Sequence, residues 1–297
     1  MTSHDPLFPG FRVEKLDATG IRIHALVGGA GPPLLLLHGY PETHAMWHKV
    51  APRLAKRFTV VATDLRGYGD SAKPETDVTH APYSKRAMAR DQVAAMRALG
   101  FERFFLAGHD RGARVSHRLA ADHPAAVAKV AILDISPTLA MYEGTDMAFA
   151  RAYWHWFFLI QKAPIPETMI AADPAFYLRH KMGDGAAGMQ PFAPAAWAEY
   201  ERCFTAEAIH ATCEDYRAAA TIDLEHDRAD RDAGRKIECP LLALWGAHGV
   251  VERCFRPLED WGRVAADVRG RALPAGHYLP EEVPDLVAQE FESFFGA

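Results

Sequence analysis

Short apolar runs punctuate the first half of the chain. Leu34-Leu35-Leu36-Leu37 ends in His38-Gly39-Tyr40-Pro41, Phe58-Thr59-Val60-Val61-Ala62 leads to Asp64, and Phe104-Phe105-Leu106-Ala107 precedes Gly108. Unbroken apolarity over four or five residues, closed by turn formers, predicts strands buried on both faces. Between these runs the period lengthens. Residues 47–54 read as helical, and so do residues 84–99, where Met88, Val93, Met96 and Leu99 recur at helical spacing. Strands alternating with helices predict a parallel sheet covered on both faces.

The alternation continues through Val130-Ala131-Ile132-Leu133 and stops near Pro137, where aromatic residues and methionines gather: Met141, Tyr142, Phe149, Tyr153, Trp154, Trp156. Residues 138–220 read as several helices broken by Pro164, Pro166, Pro174, Pro191 and Pro194, without a strand. Leu241 to Trp245 then restores the strand pattern, residues 270–273 give a last strand-like stretch, and residues 285–295 a closing helix. The pattern predicts one α/β core built from residues 1–137 and 221–297, with a helical cap, residues 138–220, inserted between its halves.

Composition narrows the class. Hydrophobic residues make up 49% and charged residues 24% of the 297 positions, ordinary values for a chain with a large buried core. A formal charge of -5 offers no basic footprint for nucleic acid. Cys203, Cys213, Cys239 and Cys254 form no C-x-x-C pair, which predicts free thiols in a reducing cytosol rather than a zinc site or disulfide framework. The N-terminal Met-Thr-Ser-His-Asp-Pro has no leader-like apolar stretch, and no apolar run nears the roughly 20 residues of a membrane span.

The chemistry centres on Gly108-His109-Asp110-Arg111-Gly112, between a strand and a helix expected to begin near Ala113. Glycines two before and two after a central residue permit a strained strand-to-helix turn that drives the central side chain into a pocket. Here that residue is Asp110, and no Gly-x-Ser-x-Gly occurs, which argues against a serine hydrolase. A carboxylate can displace a leaving group from saturated carbon, giving an ester that water cleaves. Cleavage needs a base, and among fifteen histidines His277, in Pro274-Ala275-Gly276-His277, has the right place in the chain order. Asp134, directly after a strand, is preferred as the acid orienting His277; Glu252, after the Leu241–Trp245 run, is the alternative. The backbone N–H groups of Tyr40 and Arg111 suit an oxyanion hole. A side-chain role for His38 is a weaker reading.

Arg111 and Arg114 lie three apart in the first turn of a helix, where the dipole disfavours cations. They read as a fork gripping a substrate carboxylate bidentately. His155, Trp156 and Tyr216 offer an imidazole N–H, an indole N–H and a phenol O–H that suit a leaving anion.

These motifs, Gly-His-Asp-Arg-Gly-Ala-Arg at 108–114, Leu-Asp-Ile at 133–135, Tyr-Trp-His-Trp at 153–156, Cys-Glu-Asp-Tyr-Arg-Ala at 213–218 and Gly-His at 276–277, resemble the fluoroacetate (haloacetate) dehalogenases of the α/β-hydrolase superfamily along nearly the whole chain. The resemblance implies an α/β-hydrolase fold, hydrolytic dehalogenation of a small haloacid, a homodimer and no cofactor. It implies Asp110 as nucleophile, Asp134 as orienting acid and His277 as base. Arg111 and Arg114 would hold the carboxylate, and His155, Trp156 and Tyr216 the halide. Tyr40 departs from the family's phenylalanine. An epoxide hydrolase shares the aspartate nucleophile but carries tryptophan directly after it, where this chain has Arg111. A non-catalytic ligand receptor on the same fold is a distant alternative, since Asp110, Asp134 and His277 are all present.

Overall fold

In the computed structural model, residues 5–18, 20–185 and 187–296 are described. The first four residues of the leader reading lie outside them. Eight strands form one sheet: β1 (Arg12–Ala18), β2 (Ile21–Gly28), β3 (Pro33–Leu37), β4 (Thr59–Thr63), β5 (Phe104–His109), β6 (Val127–Leu133), β7 (Leu241–Gly246) and β8 (Val268–Leu273), in the order β1-β2-β4-β3-β5-β6-β7-β8. From β4 to β8 every neighbour is parallel; β2 runs antiparallel to both β1 and β4. The N-terminal hairpin was absent from the pattern reading. β1 is an edge strand whose sequence, Arg-Val-Glu-Lys-Leu-Asp-Ala, leaves much of its length in contact with solvent, so it carries no apolar run.

Helices cover both faces. α1 (Ala51–Leu54) follows a 3₁₀ turn, His44–Trp47; α2 (Lys85–Ala98) is capped by the Ser84 side chain; α3 (Arg111–Asp122) leaves β5. The side chains of each strand alternate between two cores, the period-two geometry of a strand. Leu35, Leu37, Leu106, Val130 and Ile132 meet Met88, Met96, Val115 and Leu119 of α2 and α3. Leu34, Leu36, Ala107, Ala131 and Leu133 face the other way, toward Trp47, Leu54 and the closing helix. Each fully buried leucine contributes about 1.5–3 kcal/mol.

Between β6 and β7, apart from an isolated β-bridge of Ile237 with Ala265, the described residues are helical or loop: α4 (Thr138–Glu143), α5 (Met147–Ala152), α6 (Trp154–Leu159), α7 (Ile165–Ala171), α8 (Pro174–Gly183), α9 (Pro194–Cys203), α10 (Ala206–Ala220) and α11 (Ile222–Asp232). Pro166, Pro174 and Pro194 sit in first turns, where a missing N–H costs nothing, and the side chains of Asp146, Asp173 and Thr205 cap α5, α8 and α10. After β7 come α12 (Val250–Cys254), α13 (Pro257–Val264), α14 (Leu279–Glu282) and α15 (Pro284–Phe295). No helix among the described residues is long and apolar enough to cross a membrane.

Candidate active site

The turn from β5 into α3 is as tight as the glycine spacing predicted, but α3 begins at Arg111 rather than Ala113. Asp110 takes φ 46° and ψ −110°, a left-handed conformation that costs an aspartate of order 1–3 kcal/mol. The glycines permit it through close approach. A Cβ on Gly108 would come within 2.5 Å of the Gly112 carbonyl, and one on Gly112 within 2.4 Å of the His38 oxygen. The Tyr40 N–H donates to Asp110 Oδ1 at 3.0 Å, and the Arg111 N–H, in the first turn of α3, has no acceptor within its own helix. Burial pushes the Asp110 carboxyl up, but the charges of His277, Arg114, His109 and Arg111 outweigh it and hold the pKa at about 2. The group is a carboxylate at neutral pH.

His277 follows β8. Its Nδ1 lies 2.5 Å from Asp134 Oδ2, and its Nε2 lies 4.0 Å from Asp110 Oδ2. Asp134 is a second strained aspartate, with φ 52°, and its Oδ1 accepts the Gly246 N–H at 2.8 Å, so both oxygens are engaged. Glu252 does not reach His277; it accepts a hydrogen bond from the Trp245 indole instead. The His38 side chain is engaged on both nitrogens, with the Gly39 carbonyl and the Leu65 N–H, and so is locked in the turn.

Arg111 and Arg114 are both buried, and here the geometry corrects the idea of a free fork. The Nε and Nη2 of Arg111 donate to Asp215 Oδ2 and Oδ1 at 2.9 and 2.7 Å, so its paired edge is already occupied. Only Nη1 lacks a partner among the described residues. Arg114 donates to Thr138 Oγ1 at 3.0 Å and lies against Met141 Sδ at 3.2 Å, and its Nε lacks a partner. The Arg111 guanidinium lies 4.0 Å from the centre of the Tyr216 ring, and that of Arg114 lies 4.5 Å from Trp156. The Trp156 Nε1 and Tyr216 hydroxyl are buried and likewise unpartnered among the described residues. His155 stacks on Tyr40 at 6.2 Å and packs edge-on to Tyr216 at 5.9 Å. Burial, with the nearby charges of Lys181 and His277, keeps His155 well below the ordinary histidine range and therefore neutral. Burial and the charge of Asp110 keep Tyr216 a phenol.

The family model for the alpha/beta hydrolase fold matches residues 32–270. A fluoroacetate dehalogenase from Burkholderia sp. is 48% identical over 97% of this chain and 95% of its own length. The chain belongs to the α/β-hydrolase family, in the group of the haloacetate dehalogenases. The hydrolase is also similar, at 34% identity over 93% of its length and 94% of the relative, to a soluble epoxide hydrolase from Corynebacterium sp.. A solved Nostoc sp. chain described as an alpha/beta hydrolase superposes with a TM-score of 0.94 at 56% identity, covering 96% of this chain and 98% of that one.

Two residues of the site were overlooked in the sequence. Asp215 stands beside Tyr216 inside a motif singled out above, yet an acid on a helix reads as a solvated face. Its partner, Arg111, is 104 positions away. Tyr153 stands in the aromatic run without a role assigned to it, but its hydroxyl lies 3.3 Å from His277 Nδ1. Among the described residues two groups have donors close enough for a metal ion: His24, His44 and Asp64, and Glu167, His210 and Glu214. Neither includes a residue of the Asp110 cluster, and both are already laced with ion pairs. His44 bonds Asp64 at 2.8 Å, and Arg217 bridges Glu167 and Glu214.

Proposed function

We propose that this hydrolase converts haloacetates, fluoroacetate and chloroacetate, to glycolate and halide. The observation that supports the reading is a set of four buried hydrogen-bond donors without partners among the described residues, Arg111 Nη1, Arg114 Nε, Trp156 Nε1 and the Tyr216 hydroxyl, on two arginines whose charges act on Asp110 and on the rings those arginines lie over. Buried donors left unpaired cost about 1–3 kcal/mol each, more when charged, so a set of four suits an anionic ligand.

One nitrogen from each guanidinium holds the substrate carboxylate. Asp110 Oδ2 attacks the halogen-bearing carbon; the new C–O bond forms as the C–X bond breaks, and the halide departs with the electron pair. His155, Trp156 and Tyr216 donate to that halide. At roughly 1.5–3 kcal/mol for each hydrogen bond to a charged group, three supply about 5–9 kcal/mol. Water then attacks the ester carbonyl carbon of Asp110 while His277 takes its proton. Asp134 stabilises the imidazolium, and the N–H groups of Tyr40 and Arg111 hold the tetrahedral oxyanion. On collapse the departing glycolate oxygen takes the proton from His277 and Asp110 is left as a carboxylic acid, which gives up the second water proton through His277 to solvent and so returns to the carboxylate. The burial of the pocket keeps bulk water from weakening these contacts.

Halide release from fluoroacetate and chloroacetate, followed with an ion-selective electrode for the wild type and Asp110→Asn, tests the reading. Both ions are expected from the wild type and neither from the mutant. Chloride alone restricts the substrate to chloroacetate. Release of neither halide rejects haloacid hydrolysis, and opening of styrene oxide by the wild type would then favour the second reading. That reading, an epoxide hydrolase, has in its favour two buried tyrosine hydroxyls, those of Tyr153 and Tyr216, suited to an epoxide oxygen.

A further inference from the structure

Asp215 is fully buried and its carboxylate is saturated. Oδ2 accepts from Arg111 Nε at 2.9 Å and from the Tyr68 hydroxyl at 2.6 Å, while Oδ1 accepts from Arg111 Nη2 at 2.7 Å and from the Lys85 ammonium. Its backbone carbonyl takes a further bond from Arg111 Nη2 at 2.9 Å. Arg111 and Tyr68 belong to the α/β core and Lys85 to α2, whereas Asp215 rides on α10, immediately before Tyr216. The guanidinium that Asp215 grips lies over the Tyr216 ring, 4.0 Å from its centre.

We propose that Asp215 is the positioning residue that sets substrate length, an inference that rests on the haloacetate reading above. By taking the paired edge of Arg111, it turns the single nitrogen Nη1 toward the pocket and prevents Arg111 from swinging to form a two-point grip of its own. The neighbouring residue, Tyr216, presents the halide donor. Two consecutive residues of one helix therefore set the position of the carboxylate receptor, through Arg111, and that of the halide receptor, directly. With the guanidinium 4.0 Å from the ring centre, the span between the two receptors is short. That span suits an acid whose halogen-bearing carbon is bonded directly to the carboxyl carbon and disfavours one with an extra methylene between them. The Arg114 guanidinium, 4.5 Å from the centre of the Trp156 ring, repeats the arrangement from the other arginine, with its Nε unpartnered among the described residues.

The test is steady-state halide release by the full-length wild type and Asp215→Asn with chloroacetate and 3-chloropropionate, together with competitive inhibition by acetate. Asp215→Asn is expected to raise KM for chloroacetate and Ki for acetate by roughly 10- to 100-fold, the range for one hydrogen bond to a charged group, with kcat much less affected. The preference for chloroacetate over 3-chloropropionate, taken as the ratio of kcat/KM values, falls by a similar factor. If Asp215→Asn does not fold, the double variant Lys85→Met with Asp215→Asn, which removes both charges of the pair, carries the same expectation. Unchanged KM and Ki, or a drop in kcat alone with chain-length preference intact, overturns the proposal while leaving haloacetate hydrolysis standing. A wild type that releases no halide from chloroacetate fails at the earlier step and removes the basis of both.

Discussion

Arg114 and Arg118 sit one turn apart on α3, both buried, and their surroundings are opposite. Arg118 is enclosed by three aspartates, with Asp122 at 3.1 Å, Asp227 at 2.6 Å and Asp230 at 2.5 Å. Burial pulls its guanidinium down, but those carboxylates carry it above the ordinary arginine range. Arg114 meets a hydroxyl, a carbonyl and a thioether, with no carboxylate in hydrogen-bond contact among the described residues, and burial together with the charge of Arg111 pulls it down. A buried cation with its counter-ions in place ties α3 to α11. A buried cation without one is a standing cost that a ligand's anion can relieve. Charge and burial alone do not separate the two roles; the list of partners does.

The strongest way to break that comparison is Arg118→Leu. It takes the shared cation from three aspartates, of which Asp122 keeps Arg86, Asp230 keeps Arg235 and Asp227 loses its arginine, and a loss of about 3–5 kcal/mol in urea unfolding is expected, with KM for chloroacetate preserved. A rise in KM would show that Arg118 also serves the site. Arg114→Leu should do the converse. The kcat/KM for chloroacetate is expected to fall by roughly 10²–10³, in line with about 2–5 kcal/mol for truncating one side of a buried charge pair, while thermal stability holds or rises. A melting temperature that falls as far as that of Arg118→Leu would make Arg114 a structural cation.

His44 extends the contrast to a group satisfied on both sides. It lies between Asp64 at 2.8 Å and Asp5 at 3.3 Å, and although burial opposes its charge, these carboxylates raise its pKa to about 10. A folded-state value above the unfolded one favours the protonated form. The stability it contributes is therefore complete below about pH 6.5 and is lost as pH climbs toward 10, at no more than about 1.4 kcal/mol per pH unit. Urea midpoints at pH 6, 8 and 9.5 should fall in that order for the wild type, and His44→Gln should flatten this component. An equal slope in both proteins would assign the loss to other groups. The smallest effect is expected at Tyr40, whose hydroxyl donates to that of Tyr177 at 2.9 Å, linking the turn after β3 to α8. Tyr40→Phe should cost about 1 kcal/mol in unfolding and leave the backbone donation to Asp110 intact, so kcat for chloroacetate is expected to change little. A large fall in kcat would mean that this hydroxyl meets the substrate.

Local pattern carried most of the α/β core. The runs at Leu34–Leu37, Phe104–Ala107 and Leu241–Trp245 became central parallel strands because a strand covered on both faces must be apolar at every position. The glycines of 108 and 112 carried the elbow because close approach of backbone to backbone admits only residues without a Cβ. β1 left no such trace, since an edge strand exposed to water keeps polar side chains, and in β2, buried from Ile23 to Gly28, Arg22 and His24 interrupt the apolar run.

What the sequence determined by itself was which residues are candidates for the chemistry. Asp110 in an elbow, His277 after the last strand and the arginines beside Asp110 are each tied to a local motif whose physics acts over a few residues. What only the tertiary structure decided was how those groups share their partners. Asp134 rather than Glu252 meets His277, Asp215 takes the paired edge of Arg111, and Arg118 is neutralised where Arg114 is not. Each of these choices joins residues far apart in the chain, or turns on which nitrogen of a guanidinium is left free. Neither hydrophobic period nor residue spacing encodes that information, because it arises only when helices from distant segments close over the same end of the sheet.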